Sequence, residues 1–199
     1  ADSIVTVGTF DGVHRGHVAI IEQVVQHARD RHARSVIITF DPHPREIVGR
    51  GPVKLLSTLD ERLKLMNILG VEYTIVVPFT YQFSRLTSNE FYEGYVVKKV
   101  GVKEVIEGSD HMFGRDREAN IETLKELGER FGFRVTAAVT VLDQGNPVSS
   151  SKVRDALMRG EVEAAQVLLA RPYSFSGIVV KGDGRGAQLG FPTANIQPV

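Results

Sequence analysis

The sequence predicts a doubly wound α/β domain, in which a parallel β-sheet carries helices on both faces. Strand-like and helix-like segments alternate as far as about residue 170, which implies right-handed crossovers between parallel strands. The apolar run "SVIITF" at 35–40 has no polar alternation, as expected of a strand covered on both faces. Glycine-rich and polar stretches follow several apolar runs, and ligands in such sheets bind beyond the carboxyl ends of the strands.

The strands are predicted from short runs of β-branched and apolar residues. They lie within 3–10 and at 35–40, 73–79, 103–108 and 133–139. The first helix follows the first strand and has one apolar face made of Val18, Ile21, Val24, Val25 and Ala28. His27 and His32, late in this charged helix, are predicted to be solvated.

Capping signals place the later helices. Thr58 and Glu61 have capping-box spacing, and Thr87 and Glu90 repeat it ahead of "FYEGYVVKKVG". The helix that starts near Thr58 has an apolar stripe made of Leu59, Leu63, Met66 and Leu69. Residues 117–130 and the segments "SKVRDALMRG" and "EVEAAQVLLA" are predicted to be further helices.

The pattern changes at Arg171, where glycine and proline become frequent and the helical period is lost. We predict that a second, β-type domain begins here, with too few residues to bury a core of its own. The segment "GDGRGA" at 182–187 satisfies a G-x-G-x-x-A pattern. No helix is expected to follow it before Pro192, so a Rossmann dinucleotide site is rejected.

Composition limits the classes of function. The chain has 24 acidic and 24 basic residues and lacks a long basic run, which argues against nucleic-acid binding and favours a small anionic ligand. It has no cysteine, no visible signal peptide and no apolar run long enough to span a bilayer, so a cytoplasmic protein is expected. Because the chain starts without methionine and ends on "NIQPV", we expect both ends to be trimmed. The oligomeric state is not predicted.

The stretch "GTFDGVHRGH" at 8–17 combines a glycine loop with the start of the first helix. Gly8, Gly12 and Gly16 allow the backbone to approach a ligand closely, and the helix amino terminus offers free N–H groups to phosphate oxygens. His14 and His17 add two imidazole donors at the same place. This arrangement suits an anion whose charge changes during a reaction. A plain turn with surface histidines is the alternative.

A second anion site is predicted where "VSSSKVRDAL" enters a helix. Ser149, Ser150 and Ser151 precede the helix and Arg154 lies just inside it, so hydroxyls, backbone N–H groups and a guanidinium could converge on phosphate. A serine linker with a helix cap explains the same residues equally well. In "TFDPHPREI", Asp41 could accept hydrogen bonds or hold a magnesium-bound water, and His43 lies between two prolines; a proline turn is the alternative there.

These motifs together resemble the nucleotidylyltransferase superfamily. Residues 8–17 match its G-x-F-D-G-x-H-x-G-H signature, and 148–154 are similar to its I-S-S-T-x-x-R motif. Within the superfamily the chain resembles the bacterial bifunctional riboflavin kinase/FMN adenylyltransferases, or FAD synthetases. Their G-x-D/N-F-x-F-G stretch is matched at Gly108, Asp110, Phe113 and Gly114, although His111 replaces the usual aromatic residue. The segment "GFPTAN" resembles the entry motif of riboflavin kinases.

The resemblance implies a Rossmann-like nucleotidylyltransferase domain at 1–171 and the start of a β-barrel kinase domain at 172–199. The implied reaction is ATP + FMN → FAD + pyrophosphate, with Mg²⁺ as cofactor and with riboflavin phosphorylation by the full-length protein. The kinase's catalytic glutamate is expected beyond residue 199. ATP, FMN and riboflavin are the expected partners, without nucleic acid or membrane.

The resemblance also assigns roles to residues. His14 and His17 would bind the triphosphate and the developing charge, and Arg154 with the three serines would hold the departing pyrophosphate. A carboxylate such as Asp11 would hold Mg²⁺ or orient the histidine loop, and no metal ligand is assigned with certainty. Further ATP contacts are expected from Gly8, Phe10, Asp11, Gly12 and Gly16, flavin or nucleotide contacts from Asp41, His43, Asp110 and Phe113, and kinase-domain contacts with ATP and Mg²⁺ from Thr193 and Asn195.

Two alternatives remain. A related transferase with another phosphorylated acceptor would share both phosphate motifs, but it would have no reason to continue into "GFPTANI". A non-catalytic nucleotide-binding module is disfavoured because both histidines and Arg154 are present.

Overall fold

The computed structural model contains a five-stranded parallel sheet with the strand order β3-β2-β1-β4-β5. The structure describes residues 2–49, 53–108, 112–115 and 118–198. The first strand, β1, is central; β2 and β3 lie on one side of it, and β4 and β5 lie on the other. The strand order therefore reverses between β1 and β4. The predicted doubly wound α/β fold is confirmed. Its strands are β1 (Ser3–Val7), β2 (Arg34–Asp41), β3 (Tyr73–Pro78), β4 (Val102–Gly108) and β5 (Arg134–Ala138).

Helices connect the strands and cover both faces of the sheet. They are α1 (Arg15–Asp30), α2 (Pro44–Ile47), α3 (Leu59–Ile68), α4 (Tyr81–Ser84), α5 (Ser88–Phe91), a π-helix (Tyr92–Val100) and α6 (Ile121–Phe131). A short antiparallel hairpin of β6 (Leu142–Asp143) and β7 (Asn146–Pro147) then leads into α7 (Ser150–Met158) and α8 (Val162–Leu169). Both predicted capping boxes are present, at Thr58 with Glu61 and at Thr87 with Glu90.

The core lies on both faces of the sheet. Val5, Val36 and Val105 point to one face, where they pack with residues of the π-helix and α6. Ile4, Ile37 and Ile106 point to the other face, where α1 and α3 cover the strands. Because successive residues of a strand face opposite sides, burial on both sides requires the continuous apolar runs seen in the sequence.

Three local predictions need correction. Within the segment "FYEGYVVKKVG", Tyr92–Val100 form the π-helix, which is continuous with α5. The helix predicted at 117–130 begins at Ile121, because the Asn120 side chain accepts hydrogen bonds from the backbone N–H groups of Glu122 and Thr123 and caps it there; residue 117 is outside the described residues. In α3 the buried residues are Met66 and a charged one, Arg62, rather than the whole predicted apolar stripe.

His27 is also not solvated as predicted. It is half-buried, and its Nδ1 lies 3.3 Å from Oε1 of Glu104 on β4, next to the central strand β1. Glu104 is buried and is also paired with Arg31, while the Thr136 hydroxyl donates to it at 2.5 Å. A carboxylate within the core needs such partners because burial removes its hydration. His32 is exposed, as predicted.

The last part of the chain forms an antiparallel pair of β8 (Gly177–Val180) and β9 (Asn195–Pro198), separated by the one-turn helix α9 (Arg185–Gln188). The expectation that no helix follows the glycine loop was therefore wrong, since one turn closes there between the two strands. A Rossmann dinucleotide unit is still rejected because these strands are antiparallel rather than joined as parallel βαβ strands. Among the described residues, no helix is long and apolar enough to cross a membrane.

Candidate active site

A cavity of about 960 Å³ opens at the carboxyl ends of the parallel strands, where the strand order reverses. This is the expected position of a ligand in a doubly wound sheet. The loop after β1, the helix α2, the end of β4 and the start of α7 all line it. The lining includes most of the predicted contacts, namely Gly8, Phe10, His14, Gly16, His17, His43, Phe113, Ser149, Ser150, Ser151 and Arg154.

The first helix presents its amino terminus and two histidines to this cavity. His14 is the N-cap of α1, and its Nδ1 accepts a hydrogen bond from the backbone N–H of His17 at 3.3 Å. Because Nδ1 is the acceptor, the proton of the neutral ring lies on Nε2, which makes Nε2 the donor available to a ligand. The two imidazole rings stack with their centroids 3.6 Å apart.

Both histidines are neutral at pH 7 in the free protein. The pKa of His14 is lowered to about 4, mainly by burial; Asp11 opposes this shift, and the cations Arg154 and Arg171 add to it. Burial also lowers the pKa of His17 well below its ordinary value, and the adjoining His14 ring adds to this effect. The site therefore offers the helix terminus and polar N–H groups rather than preformed imidazolium charges, and a bound anion would favour protonation.

The glycines of the loop leave room that a side chain would fill. A Cβ at Gly16 would lie 3.1 Å from Cε1 of His14 and would crowd the imidazole. Gly12 has a φ of +77°, and a Cβ there would come within 2.7 Å of the Leu56 side chain. Phe10 and Val13 also have positive φ values, of 50° and 38°, so the loop is strained on both sides of Asp11 and Gly12.

Asp11 fixes this loop on the side that faces away from the cavity. Its side chain is buried, and Oδ1 accepts hydrogen bonds from the backbone N–H groups of Leu56 and Ser57 at 2.9 and 3.2 Å. Oδ2 accepts from Nη2 of Arg154 at 2.5 Å. Asp11 and Gly12 do not line the cavity. With both oxygens engaged away from the cavity, Asp11 fits the role of orienting the loop and does not fit that of a Mg²⁺ ligand.

The second predicted anion motif lies opposite the first. Ser149 is the N-cap of α7, and the Ser150 hydroxyl donates to the Asp11 carbonyl at 2.9 Å, which fastens α7 to the first loop. Arg154 also donates from Nε to the Lys54 carbonyl at 2.8 Å. Ser151 is exposed at the edge of the cavity. The amino termini of α1 and α7 thus converge on one cavity, a favourable environment for a polyphosphate.

Of the remaining predicted contacts, some line the cavity and others do not. His43 lines the cavity and caps α2, with Nδ1 accepting from the Arg45 N–H at 3.1 Å, and Phe113 lines it from the other side. Asp41 does not line the cavity; its Oδ1 lies 3.4 Å from Nη2 of Arg62. Asp110 lies outside the described residues.

Thr193 and Asn195 lie apart from this cavity, in the last part of the chain. Both are exposed and face the glycine-rich stretch at 182–186, which runs into α9. A Cβ at Gly186 would be 2.8 Å from the Thr193 hydroxyl oxygen, and one at Gly182 would collide with the Asn195 amide. The glycines are therefore required for this loop to approach the two polar side chains.

Sequence reasoning missed Arg62. This arginine is 3% exposed, and its Nη1 donates to the Thr9 carbonyl at 2.8 Å and lies 3.3 Å from the Phe40 carbonyl. It thereby joins the loop after β1 to the end of β2. The spacing of Arg62 between Leu59 and Met66, on the face that covers the sheet, was the available signal.

Glu107 was missed as well. It is 2% exposed, lines the cavity at the end of β4, and accepts a hydrogen bond from the Val7 N–H at 2.6 Å. Burial raises its pKa well above the ordinary value, which favours the neutral carboxyl group, while the hydrogen bond from Val7 opposes this shift. Two glutamates within the strand "VKEVIEG", which is predicted to be covered by helices, were the available signal. Among the residues described, no cluster of three or more histidine, aspartate or glutamate side chains could hold a metal ion.

Fold and site together define a doubly wound α/β protein that presents two helix amino termini and two neutral imidazoles to one cavity, an arrangement that suits an anion. The profile of the FAD synthetase family matches residues 1–152, and that of riboflavin kinase matches 169–199. The chain belongs to the FAD synthetase family. The resemblance based on the motifs is therefore confirmed.

Individual relatives agree. The bifunctional riboflavin kinase/FMN adenylyltransferase of Escherichia coli K12 is 36% identical over 97% of this chain and 62% of its own length. That of Listeria monocytogenes is 37% identical over 98% of this chain and 62% of its own length. A crystal structure described as a macrolide-efflux protein from Streptococcus pneumoniae has a TM-score of 0.89 and 32% identity, covering 100% of this chain and 65% of that one. The chain spans less than two thirds of the length of these relatives.

Proposed function

We propose that this chain transfers AMP from ATP to FMN, giving FAD and pyrophosphate, and that the full-length protein also phosphorylates riboflavin to FMN. The convergence of the α1 and α7 amino termini on one cavity, with His14, His17 and Arg154 beside them, carries the proposal. Family membership supports it, because the relatives matched over nearly the whole chain bear the name of this bifunctional enzyme.

The chemistry requires no protein nucleophile. An oxygen of the FMN phosphate, already an anion, attacks the α-phosphorus of ATP in line, while the bond to the oxygen that bridges to the β-phosphorus breaks and pyrophosphate leaves. The site must therefore orient two phosphorylated molecules and stabilise negative charge on the leaving group. Nε2–H of His14 and the N–H groups of α1 contact the triphosphate, and α7 with Arg154 holds the leaving pyrophosphate.

Mg²⁺ belongs to this proposal as a cofactor that neutralises phosphate charge. Since Asp11 is committed to its hydrogen bonds within the protein, the metal would be bound mainly by phosphate oxygens and water, as is common for this ion. No protein carboxylate is assigned to it.

The volume of the cavity and the aromatic residues that line it support the binding of two substrates. Its volume of about 960 Å³ lies at the upper end of the range usual for small-molecule sites. Phe40, Phe79 and Phe83 form a mutually packed aromatic wall with ring centroids 5.5 to 6.0 Å apart. An isoalloxazine ring suits such a wall, with His43 and Phe113 as further flavin contacts and Asp41 acting indirectly through Arg62.

The division of the chain into 1–171 and 172–199 is part of the same proposal. The riboflavin kinase profile supports it by matching 169–199, where Thr193 and Asn195 would contact ATP phosphate and Mg²⁺. We further propose that the protein acts in the cytoplasm on small molecules and not on nucleic acid, which its balanced charge and lack of cysteine favour.

The test is to incubate the chain with FMN, ATP and Mg²⁺ and to separate the flavins by chromatography. FAD should accumulate with the wild type and be nearly absent with His17→Ala. A parallel sample with riboflavin and ATP should yield no FMN, because the kinase's catalytic base is expected beyond residue 199. A wild type that binds ATP but forms no FAD would instead favour a different phosphorylated acceptor or a non-catalytic module.

A further inference from the structure

Arg171 lies in the part of the chain that matches riboflavin kinase, yet its side chain binds the loop that opens the candidate active site. Its Nη2 donates to the Gly12 carbonyl at 2.5 Å, and its Nη1 donates to the Val13 carbonyl at 2.8 Å. Nη1 also lies 3.3 Å from the Leu169 carbonyl at the end of α8. One guanidinium therefore joins the last helix before the junction to the residues that immediately precede His14.

The loop needs such a donor because of its backbone conformation. Gly12 and Val13 have φ values of +77° and +38°, and the second is unusual for a β-branched residue. Two successive residues in this conformation turn their carbonyl groups to one side of the loop, where they require hydrogen-bond donors. The planar guanidinium fork supplies two adjacent N–H groups, a geometry that a lysine cannot reproduce.

The segment that follows Arg171 is fastened to the same part of the molecule. The Ser176 hydroxyl donates to Oε1 of Glu61 at 2.8 Å, while Oε2 of that glutamate accepts from the Thr58 N–H in the capping box of α3. Tyr173, between the two contacts, is exposed. Residues 171–176, which we call the junction segment, are thus held at both ends against the site-forming region.

We propose that Arg171 is a positioning residue for the phosphate-binding loop, so that the segment matching riboflavin kinase completes the adenylyltransferase site. By holding the Gly12 and Val13 carbonyls it fixes the backbone from which His14 caps α1 and presents Nε2 to the triphosphate. This inference rests on the proposed function. Its consequence is that a chain ending before residue 171 has an incomplete nucleotide loop, even though the FAD synthetase profile ends at residue 152.

The charge of Arg171 provides a readout independent of catalysis. Burial lowers the pKa of His14, and the guanidinium groups of Arg154 and Arg171 act in the same direction, whereas Asp11 raises it. The His17 ring, which stacks on the His14 ring, is neutral. Loss of the Arg171 charge should therefore shift the His14 titration upward, and a lysine should largely retain the wild-type titration. A side chain with only a structural role would not produce this difference between alanine and lysine.

The experiment compares Arg171→Ala, Arg171→Lys and the control Arg159→Ala. Arg159 is an exposed arginine in an ion pair with Glu161, outside the cavity. For each variant, kcat and KM for ATP and FMN are measured, and the His14 ring is titrated by NMR. Arg171→Ala should lower kcat/KM for ATP about tenfold or more, as expected for loss of charge-assisted hydrogen bonds, and should raise the His14 pKa. Arg171→Lys should show a smaller loss, and Arg159→Ala none.

The inference is overturned if Arg171→Ala keeps kcat/KM within twofold of the wild type, or if its His14 titration is unchanged. It is also overturned if Arg171→Ala and Arg171→Lys lower kcat/KM for ATP equally and both also lower the melting temperature. If the wild type forms no FAD, the proposed function fails; the His14 titration and the calorimetric affinity for ATP in the absence of FMN then still decide the role of Arg171.

Discussion

Acidification should destabilise this protein through His14. The pKa of this histidine is about 4 in the folded protein and 6.5 for an ordinary histidine. Between these values the unfolded chain binds more protons than the folded one, so stability falls as the pH is lowered through this range. At about 1.36 kcal/mol per pH unit, the loss reaches about 2 kcal/mol near pH 5 and about 3 kcal/mol near pH 4.

Other groups also titrate, so the effect is measured as a difference between two proteins. Glu107 has a raised pKa and contributes with the opposite sign, gaining stability as the pH falls. His14→Asn removes the His14 contribution together with the smaller part of the His17 shift that the His14 ring causes. Urea unfolding of wild type and His14→Asn at pH 7, 6 and 5 should show that the wild type loses about 2 kcal/mol relative to the variant by pH 5.

The control is His32→Asn, since His32 is exposed and distant from the cavity. Its pH dependence should follow that of the wild type. Parallel stability curves for wild type and His14→Asn from pH 7 to pH 5 would refute the conclusion that burial depresses the His14 pKa, and with it the assignment of a neutral Nε2 donor at pH 7.

Three further substitutions test the site. His17→Ala should lower kcat for FAD formation about a hundredfold without changing the melting temperature, as for loss of one transition-state hydrogen-bond donor; activity within a fewfold of wild type would contradict the assigned role. Asp11→Ala should lower the free energy of unfolding by about 3 kcal/mol, because the Arg154 guanidinium and two buried N–H groups lose their acceptor. Arg62→Met should cost about 1–3 kcal/mol in urea unfolding through loss of the hydrogen bonds to the Thr9 and Phe40 carbonyls, with the Thr9 carbonyl keeping only the 3.3 Å bond from the Thr39 hydroxyl; equal or greater stability would show that desolvation of the guanidinium outweighs its hydrogen bonds.

Asp30→Ala is the matched control for Asp11→Ala. Asp30 is exposed at the end of α1 and accepts only a surface hydrogen bond from Gln26 among the contacts described. Its removal should change the free energy of unfolding by less than about 0.5 kcal/mol. Equal effects of the two substitutions would contradict the role of Asp11 in fixing the loop.

The elements of the fold could be predicted because their signals are local. Apolar runs mark strands buried on both faces, and the spacing of Ile21, Val24, Val25 and Ala28 marks the inner face of α1. Capping residues a few positions apart mark helix starts. The convergence of the two phosphate motifs also follows from the sequence, because the carboxyl ends of parallel strands meet at one edge of the sheet.

The partners of charged side chains could not be predicted in this way. Asp11 was a possible metal ligand by its position in the motif, and its role changed once the structure placed Arg154, 143 positions away, against it. Arg171 and the Gly12 carbonyl are 159 positions apart. His27 similarly had the pattern of a surface residue until β4 placed Glu104 beside it.

The sequence alone thus determined the parallel α/β sheet, the glycine loop and the residue types that can bind a polyphosphate, because periodicity, capping and backbone freedom depend on neighbouring residues. Only the tertiary structure decided which buried charges stabilise that loop. Arg62 donates to the Thr9 carbonyl, Arg154 donates to the Asp11 carboxylate, and Arg171 of the junction segment donates to the Val13 carbonyl. The physical reason is that a buried charge or carbonyl must find a partner in space, and the distance between partners depends on how distant elements pack.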